Sequence, residues 1–328
     1  MTVDARFQME LTRAFSGYLQ ANGWRSGAVA VIQPESGDLL AAVSAPLAGT
    51  EVEGAPEAID FARYGQYPPG SSFKMVTAIA ALRKDPSLAK KVYQCKRLPD
   101  GRVGNIVRGR VIRDDILDQQ PHGAPDMIQA LVHSCNAYFA QLGTYDVGAK
   151  DLLDTAALFN IETAKPNTEK RLNEHLPQAA YGQGEVVVTP LRMARVAGAI
   201  ATGGKLVPLR TRLAPAPVAT EPPRVLLAPE LARELEQAMR GVVTSGTGRE
   251  AAKGPVEIAG KTGTAELANA PAHAWFAGFA PYNRAAADRV AFAIVIEHAR
   301  YGGRAAAPFA VPLAEAASRV RLTAEDAQ

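Results

Sequence analysis

In the stretch YPPGSSFKMVTAIAALRK, Ser71 and Lys74 stand three residues apart where a Pro-Gly turn meets a long apolar run. On a helix, residues i and i+3 share a face one turn apart, so the lysine amine can reach the serine hydroxyl. A serine hydroxyl is a weak nucleophile until a neighbour takes its proton. A lysine does this only when burial or nearby cations bring its pKa several units below about 10.4. Phe73, Met75, Val76 and Ile79 can supply the apolar shell. At a helix start, Ser71 also has free backbone N–H groups and the positive end of the dipole beside it, which favour developing negative charge. Pro69 and Gly70 make the sharp entry. The same spacing recurs at Ser87 and Lys90, but there it follows Asp85-Pro86 in a polar stretch with Lys91 adjacent, so these lysines are expected to be solvated and charged.

Two further patterns can complete such a site. In HSCNAYF, Ser134 and Asn136 flank Cys135 after an apolar helical run; in an extended or turn conformation residues i and i+2 point the same way. A hydroxyl and a carboxamide facing one site can relay a proton and hold a substrate amide, although such pairs taken singly serve more often as helix caps or loop hydrogen bonds. In AGKTGTAE, Lys261, Thr262, Gly263 and Thr264 fall on an expected strand. Its hydroxyls and fixed cation can hold a carboxylate, Gly263 lets another backbone approach, and a substrate can pair along it as an added strand. Read alone, Lys-Thr-Gly is more often a polar strand end.

The elements that must hold these residues can be read from periodicity. Phe7, Leu11, Phe15 and Tyr18 repeat at helical spacing ahead of Gly23, which predicts an amphipathic helix. Ala28 to Gln33 and Asp38 to Ser44 read as strands of a hairpin around Pro34, Ser36 and Gly37. Helical patterns cover Ser72 to about Arg83, Asp126 to His133, Ala149 to Phe159 and Leu191 to Ala201, so the middle of the chain is expected to be mostly α. Strands return in VEIAGKTGTAE, HAWFAGFAPY and RVAFAIVIEHA, and APFAVPLAEAASRV closes the chain as a helix. The pattern predicts a sheet assembled from both ends, a helical second lobe, and a site in the cleft between them. The Pro/Ala stretch Ala214 to Pro223 reads as an exposed loop.

Composition narrows the function. A chain of 328 residues, 47% hydrophobic and 21% charged, can bury a sizeable core as one large domain or two subdomains. With 36 basic against 33 acidic residues, a net charge of +3 and no basic block interleaved with aromatics, nucleic acid is not expected as a partner. Cys95 and Cys135 match neither a disulfide framework nor a C-x-x-C site, and the five histidines form no H-E-x-x-H, so no metal or cofactor is expected. Gly65 to Ser72 has the glycine spacing of a P-loop but Ser71 where its lysine belongs, and GTGREA at Gly246 lacks the strand–turn–helix setting of a dinucleotide site. No window approaches the roughly 18 apolar residues of a membrane span, and Met1 to Gln20 lacks the pattern of a signal peptide.

Taken in order, S-x-x-K at 71, S-x-N at 134 and K-T-G at 261 lie on a helix start, a loop and a strand, and the last two patterns each occur once. The set is similar to the S-x-x-K, S-D-N and K-T-G motifs of class A β-lactamases and penicillin-binding proteins. The chain resembles penicillin-binding protein transpeptidase domains over nearly its whole length. The resemblance runs through TVDARFQ, GAVAVIQPESGDLLAAVSAP, PPGSSFK, HSCNAYFAQLG, YGQGEVVVTPLRMARVAGAIATGG, GKTGTAE, HAWFAGFAPY and GGRAAAPFAVPL. It implies an α/β (α+β) fold with a five-stranded antiparallel sheet from both chain ends, flanking helices, and a mostly helical lobe. As a single domain over 1–328, the sheet lobe would take about 1–66 and 224–328 and the helical lobe about 67–223.

Carried over residue by residue, the resemblance implies that Ser71 is acylated, that Lys74 is its base, and that Ser134 and Asn136 act as relay and amide ligand. Lys261, Thr262 and Thr264, around Gly263, would bind the substrate carboxylate, and the N–H groups of Ser71 and Thr264 would form the oxyanion hole. The implied activity is a D,D-transpeptidase on the D-Ala-D-Ala stem peptides of peptidoglycan, inhibited by β-lactams and working outside the cytoplasm. Such proteins usually carry a membrane anchor and a further N-terminal domain, through which other cell-wall synthesis proteins would be engaged. Two alternatives use the same motifs. A serine β-lactamase would need a deacylating base, and EKRLN puts Glu169 four residues before Asn173; a β-lactam sensor domain would be acylated once without catalysing. The adjacent YGQGE resembles the transpeptidases.

Overall fold

A computed structural model describes residues 1–46, 60–212 and 221–320. Helix α1 spans Ala5–Ala21, capped by the Asp4 carboxylate, which accepts from Phe7 N–H. It buries Phe7, Leu11, Phe15 and Leu19. Tyr18, expected on that face, sits at its edge, where its hydroxyl reaches the Ala305 carbonyl at 2.8 Å. Strands β1 (Gly27–Ile32) and β2 (Leu39–Ala45) form the expected hairpin. A 3-10 turn over Gly70–Phe73 precedes α2 (Lys74–Lys84), so Ser71 lies in the tight turn rather than in the α-helix proper.

The middle of the chain is less uniformly helical than its sequence suggests. Strands β3 (Val103–Val107) and β4 (Arg110–Arg113) join the short Lys96–Arg97 strand in a three-stranded sheet. Arg108 and Gly109, both at positive φ, make its two-residue turn. Then follow α3 (Met127–Val132), α4 (Asn136–Gln141), a π-helical segment Leu142–Val147, α5 (Gly148–Leu158), α6 (Glu169–Glu174) and α7 (Pro190–Ala201). Helix α8 (Pro229–Thr244) adds to the expected set, burying Leu235, Ala238, Met239 and Val242. Most of the Ala214 to Pro223 stretch lies outside the described residues.

Strands β5 (Ala259–Ala265), β6 (His273–Ala280) and β7 (Val290–Ile296) complete a five-stranded antiparallel sheet in the order β2-β1-β7-β6-β5. Helix α9 (Gly302–Arg319) starts before the expected apolar run and carries Pro308 and Pro312 inside it.

Two apolar clusters flank the sheet. On one face α1 and α9 cover Val29, Val31, Phe292 and Ile294, with the Phe15 and Phe309 rings 4.9 Å apart. On the other, Ala28, Ala30, Ala291 and Ala293 join a core shared with α7 and the helical lobe. Their small side chains let α7 lie close to the sheet, so this helix, inside the 67–223 stretch read as the second lobe, packs on the first. Strand β5, which carries Lys-Thr-Gly, is an edge strand. No helix among the described residues is long and apolar enough to cross a membrane.

Because Leu11 is fully buried and Met9 is 54% exposed, Leu11→Ala should cost about 2–5 kcal/mol. Met9→Ala should stay within about 0.5 kcal/mol. Urea denaturation midpoints of the two variants test whether α1 is part of the cooperative unit.

Candidate active site

The turn bearing Ser71 is clamped between two other stretches of backbone. Gly70 has φ +53, and a Cβ there would lie 2.3 Å from the Thr264 carbonyl oxygen of β5. Gly182, in the YGQG loop, has φ +83, and a Cβ there would lie 1.9 Å from the Gly70 carbonyl oxygen. Only glycine allows this conformation together with such close approach. Gly70 N–H donates to the Gly182 carbonyl at 3.0 Å, the Trp275 indole N–H to the Pro68 carbonyl at 3.0 Å, and the Ser72 hydroxyl to the Pro69 carbonyl at 2.8 Å. The tight turn is therefore fixed from three sides, and Ser71 opens onto a cleft of about 590 Å³.

The residues singled out in the sequence meet at this cleft. Lys74 Nζ lies 2.8 Å from Ser71 Oγ, 2.5 Å from the Ser134 carbonyl, 3.2 Å from Ser134 Oγ and 2.6 Å from Asn136 Oδ1. An ammonium has only three N–H bonds to give to four oxygens. Lys74 is fully buried, with the Phe139 and Tyr181 rings on its flanks. Loss of hydration lowers its pKa to about 8 against the opposing pull of the Asp114 carboxylate. The Lys261 amine donates to Ser134 Oγ at 2.8 Å and to the Thr262 carbonyl at 3.0 Å. Burial first, and then the Lys74 charge, push its pKa well below the ordinary lysine range. A continuous polar path thus runs from Ser71 Oγ through Lys74 Nζ and Ser134 Oγ to Lys261 Nζ.

Local conformation explains each placement. Ser134 sits in the left-handed region at φ +60, which ends α3 and points both its carbonyl and its hydroxyl at Lys74. Asn136 begins α4; its amide N–H₂ donates to the Arg113 carbonyl at 2.9 Å, which fixes Oδ1 toward Lys74. Gly263 pairs with Trp275 in the ladder, while Thr262 and Thr264 line the cleft. Thr262 Oγ1 is 2.5 Å from Thr247 Oγ1. Charged side chains also line the cleft, among them Arg102, Arg249, Arg304 and Glu266; Glu266 and Arg304 fall inside the quoted segments AGKTGTAE and GGRAAAPFAVPL, but nothing in their spacing marks them as facing the cleft.

The residue most clearly missed in the sequence is Asp114. Its buried Oδ1 accepts the backbone N–H groups of Asn136, at very short range, and Ala137, at 3.1 Å. Cys95, His122 and Cys135 gather around its Oδ2. The second S-x-x-K, Ser87 and Lys90, is exposed, as expected, and is not among the residues that line the cleft. Glu169 is exposed in the first turn of α6 and is not among the residues that line the cleft.

The sequence profile of the penicillin binding protein transpeptidase domain matches residues 27–315. The chain belongs to that family. It is 30% identical over 343 residues to the peptidoglycan D,D-transpeptidase PbpA of Mycobacterium tuberculosis, covering 89% of this chain and 67% of the relative. Identity to MrdA of Acinetobacter baumannii is 27%, covering 86% of this chain and 49% of that protein. Penicillin-binding protein A from M. tuberculosis, solved as a ceftriaxone acyl-enzyme complex, superposes with a TM-score of 0.75 at 28% identity, covering 96% of this chain and 79% of that one. The D,D-transpeptidase domain of a peptidoglycan glycosyltransferase from Eggerthella lenta gives 0.77 at 26%, covering 97% and 82%. This transpeptidase-family chain spans about two thirds of the length of its mycobacterial relatives and about half of MrdA.

Gly182→Ala combines a strained φ with a backbone overlap, so it should destabilise by about 2 kcal/mol or more, read from urea unfolding. Ser71 should react with a serine-directed acylating reagent only when Lys74 is neutral, so the rate should rise with pH through about 8 and level off above it. A rate flat from pH 6 to pH 10 would remove Lys74 as the base.

Proposed function

We propose that this chain is a serine-type peptidoglycan D,D-transpeptidase working through an acyl-enzyme on Ser71. The observation that carries this reading is the 2.8 Å contact between Ser71 Oγ and a fully buried Lys74 whose pKa lies near 8. Ser71 attacks the carbonyl between the two D-alanines of a stem peptide while neutral Lys74 takes the hydroxyl proton. The backbone N–H groups of Ser71 and Thr264 receive the oxyanion, an assignment supported by the close approach of Gly70 to Thr264.

As the tetrahedral intermediate collapses, Ser134, bridging the two lysines, passes the proton to the departing D-alanine. Lys261, Thr262 and Thr264 bind the terminal carboxylate. The donor peptide lies along the free edge of β5 as an added strand, while Gly263, where a Cβ would lie 2.7 Å from the Pro69 carbonyl oxygen, lets the Ser71 turn pack against that strand. Asn136, whose Oδ1 holds Lys74, orients the base and presents its amide to the donor backbone. An amine of a neighbouring stem peptide then attacks the ester and regenerates Ser71, with the same path carrying its proton back. β-Lactams enter as mimics of the donor. The chain acts as one transpeptidase domain of two lobes, and its substrate places it in the periplasm or on the outer face of the cytoplasmic membrane.

Labelled penicillin followed by intact-mass analysis tests the reading. One adduct should form, be lost in Ser71→Ala, be kept in Ser87→Ala and persist for minutes or longer. Lys74→Arg, always charged, should slow acylation by about a hundredfold or more. Glu169→Gln should leave the adduct lifetime unchanged. Rapid turnover of the drug that disappears in Glu169→Gln would make the chain a β-lactamase instead.

A further inference from the structure

We propose that Glu266 reads the donor peptide, holding the free side-chain amine of the residue that precedes its two D-alanines. This specificity rests on the transpeptidase reading and narrows it to donors that carry that cation. The chain continues from Lys-Thr-Gly through Thr264 and Ala265, the last residue of β5, into Glu266. Side chains two apart on a strand share a face, and Thr262, Thr264 and Glu266 all line the cleft.

The Ser71 turn divides this row. A Cβ on Gly70 would lie 2.3 Å from the Thr264 carbonyl oxygen, and one on Gly263 would lie 3.1 Å from the Ser72 nitrogen, so the turn abuts β5 at residues 263 and 264. Thr262 therefore lies to one side of the nucleophile. Glu266 lies to the other, two residues or about 7 Å beyond Thr264.

The two sides carry opposite charge. On the first, the Thr262 and Thr247 hydroxyls are 2.5 Å apart, and Gly303 packs on the same pair, where a Cβ would lie 2.2 Å from the Thr247 carbonyl oxygen. Arg249, two residues after Thr247, and Arg304, next to Gly303, bring two guanidinium groups to this end of the cleft lining. Lys261, the other cation there, is fully buried, with its amine given to Ser134 Oγ and the Thr262 carbonyl. On the second side the YGQG loop contributes Gln183, whose amide donates to the Thr264 carbonyl at 3.4 Å, and Tyr181. Burial, and then the Glu266 charge, push the Tyr181 hydroxyl up to about 12, which sets the carboxylate near that ring. Arg249, Arg304 and Glu266 take part in no ion pair among the described residues. Across the cleft, Arg102 donates to the Asp114 carbonyl at 3.2 Å and Arg113 to the Asp100 carboxylate at 2.8 Å, so neither is spare to neutralise Glu266.

This polarity orients the substrate. A donor that ends in a carboxylate is drawn with that end toward Thr262 and the arginines, and the departing D-alanine leaves on that side. The acceptor amine takes its place at the ester carbonyl and so arrives from the same side. The rest of the donor runs past Ser71 toward Glu266. Donor and acceptor are copies of one stem peptide, so the donor carries the same kind of amine that the acceptor uses. In the donor this amine does not react and stays protonated; the Glu266 carboxylate compensates its charge, and the Tyr181 ring gives its methylenes an apolar wall. A carboxylate would not serve the acceptor, whose attacking amine must be neutral, because an anion beside it favours the ammonium.

Synthetic pentapeptides ending in lysyl-D-alanyl-D-alanine, with the lysine amine free or acetylated, test the assignment through D-alanine release. The wild-type chain should show a kcat/KM about threefold or more higher for the free amine, mainly through KM, and the difference should shrink as salt is raised. Glu266→Gln should lose the preference, Glu266→Asp should keep part of it, and Glu266→Lys should favour a donor with glutamate in place of the lysine. Penicillins whose acyl side chain ends in an alkylamine, free or acetylated, give the same comparison through the rate of Ser71 acylation. That second assay separates the two claims: no D-alanine release from any peptide would count against the transpeptidase reading, while the amine preference in acylation would still support Glu266. Equal rates for free and acetylated forms in both assays, or a preference that survives in folded Glu266→Gln, would overturn the proposal. So would a Glu266→Gln variant slowed in aminolysis of the preformed acyl-enzyme but not in its formation, because the carboxylate would then belong to the acceptor.

Discussion

The burial of one lysine amine governs the site. Taking the Lys74 ammonium out of water costs several kcal/mol, and the surrounding oxygens of Ser71, Ser134 and Asn136 return only part of that, so the amine is poised near neutrality. Such balance requires the oxygens to be held in place: a looser shell would admit water and restore the ordinary lysine pKa, whereas a dry apolar shell would leave nothing for the amine to act on. The second buried lysine, Lys261, adds a like charge on the far side of Ser134 and disfavours protonation of both amines together.

Rigid placement comes from backbone contacts rather than from side-chain packing alone. The 3-10 turn of Ser71 touches the edge strand β5 on one side and the YGQG loop on the other at distances that admit no Cβ at Gly70 or Gly182. Since β5 is hydrogen-bonded to β6 within a sheet covered on both faces, the turn inherits the stiffness of the sheet. The Ser134 side of the site is held differently, by the Asp114 carboxylate gripping the first N–H groups of α4. Two independent supports thus meet across Lys74, and neither can shift without changing its oxygen shell.

The outer edge of β5 is what turns this arrangement toward a peptide substrate. An unpaired strand edge is usually a liability for a folded protein, but here it faces a polar cleft beside Ser71, where an extended peptide can complete it. Charged side chains converging there from separate segments give the cleft a recognition surface beyond the three motifs.

Much of this was legible in the sequence because it depends on local rules. Apolar periodicity located α1, the β1–β2 hairpin and the three C-terminal strands, and the order of Ser71-Lys74, Ser134-Asn136 and Lys261-Thr262-Gly263-Thr264 named the site residues that the fold brings together. The three-stranded sheet at Val103–Arg113 was hidden because its strands are short and lie among helices, and α8 because a strongly charged amphipathic helix is easily passed over between loops. Which side of the sheet α7 would cover depended on alanines in strands far apart in the chain. Sequence alone determined that residues of the types acyl transfer needs are present, and in what order they occur. Only the tertiary structure decided that Lys74 would be stripped of water, that Glu169 would stay outside the cleft, and that Asp114 would meet two cysteines and a histidine, because burial and convergence arise from contacts between segments that no spacing along the chain records.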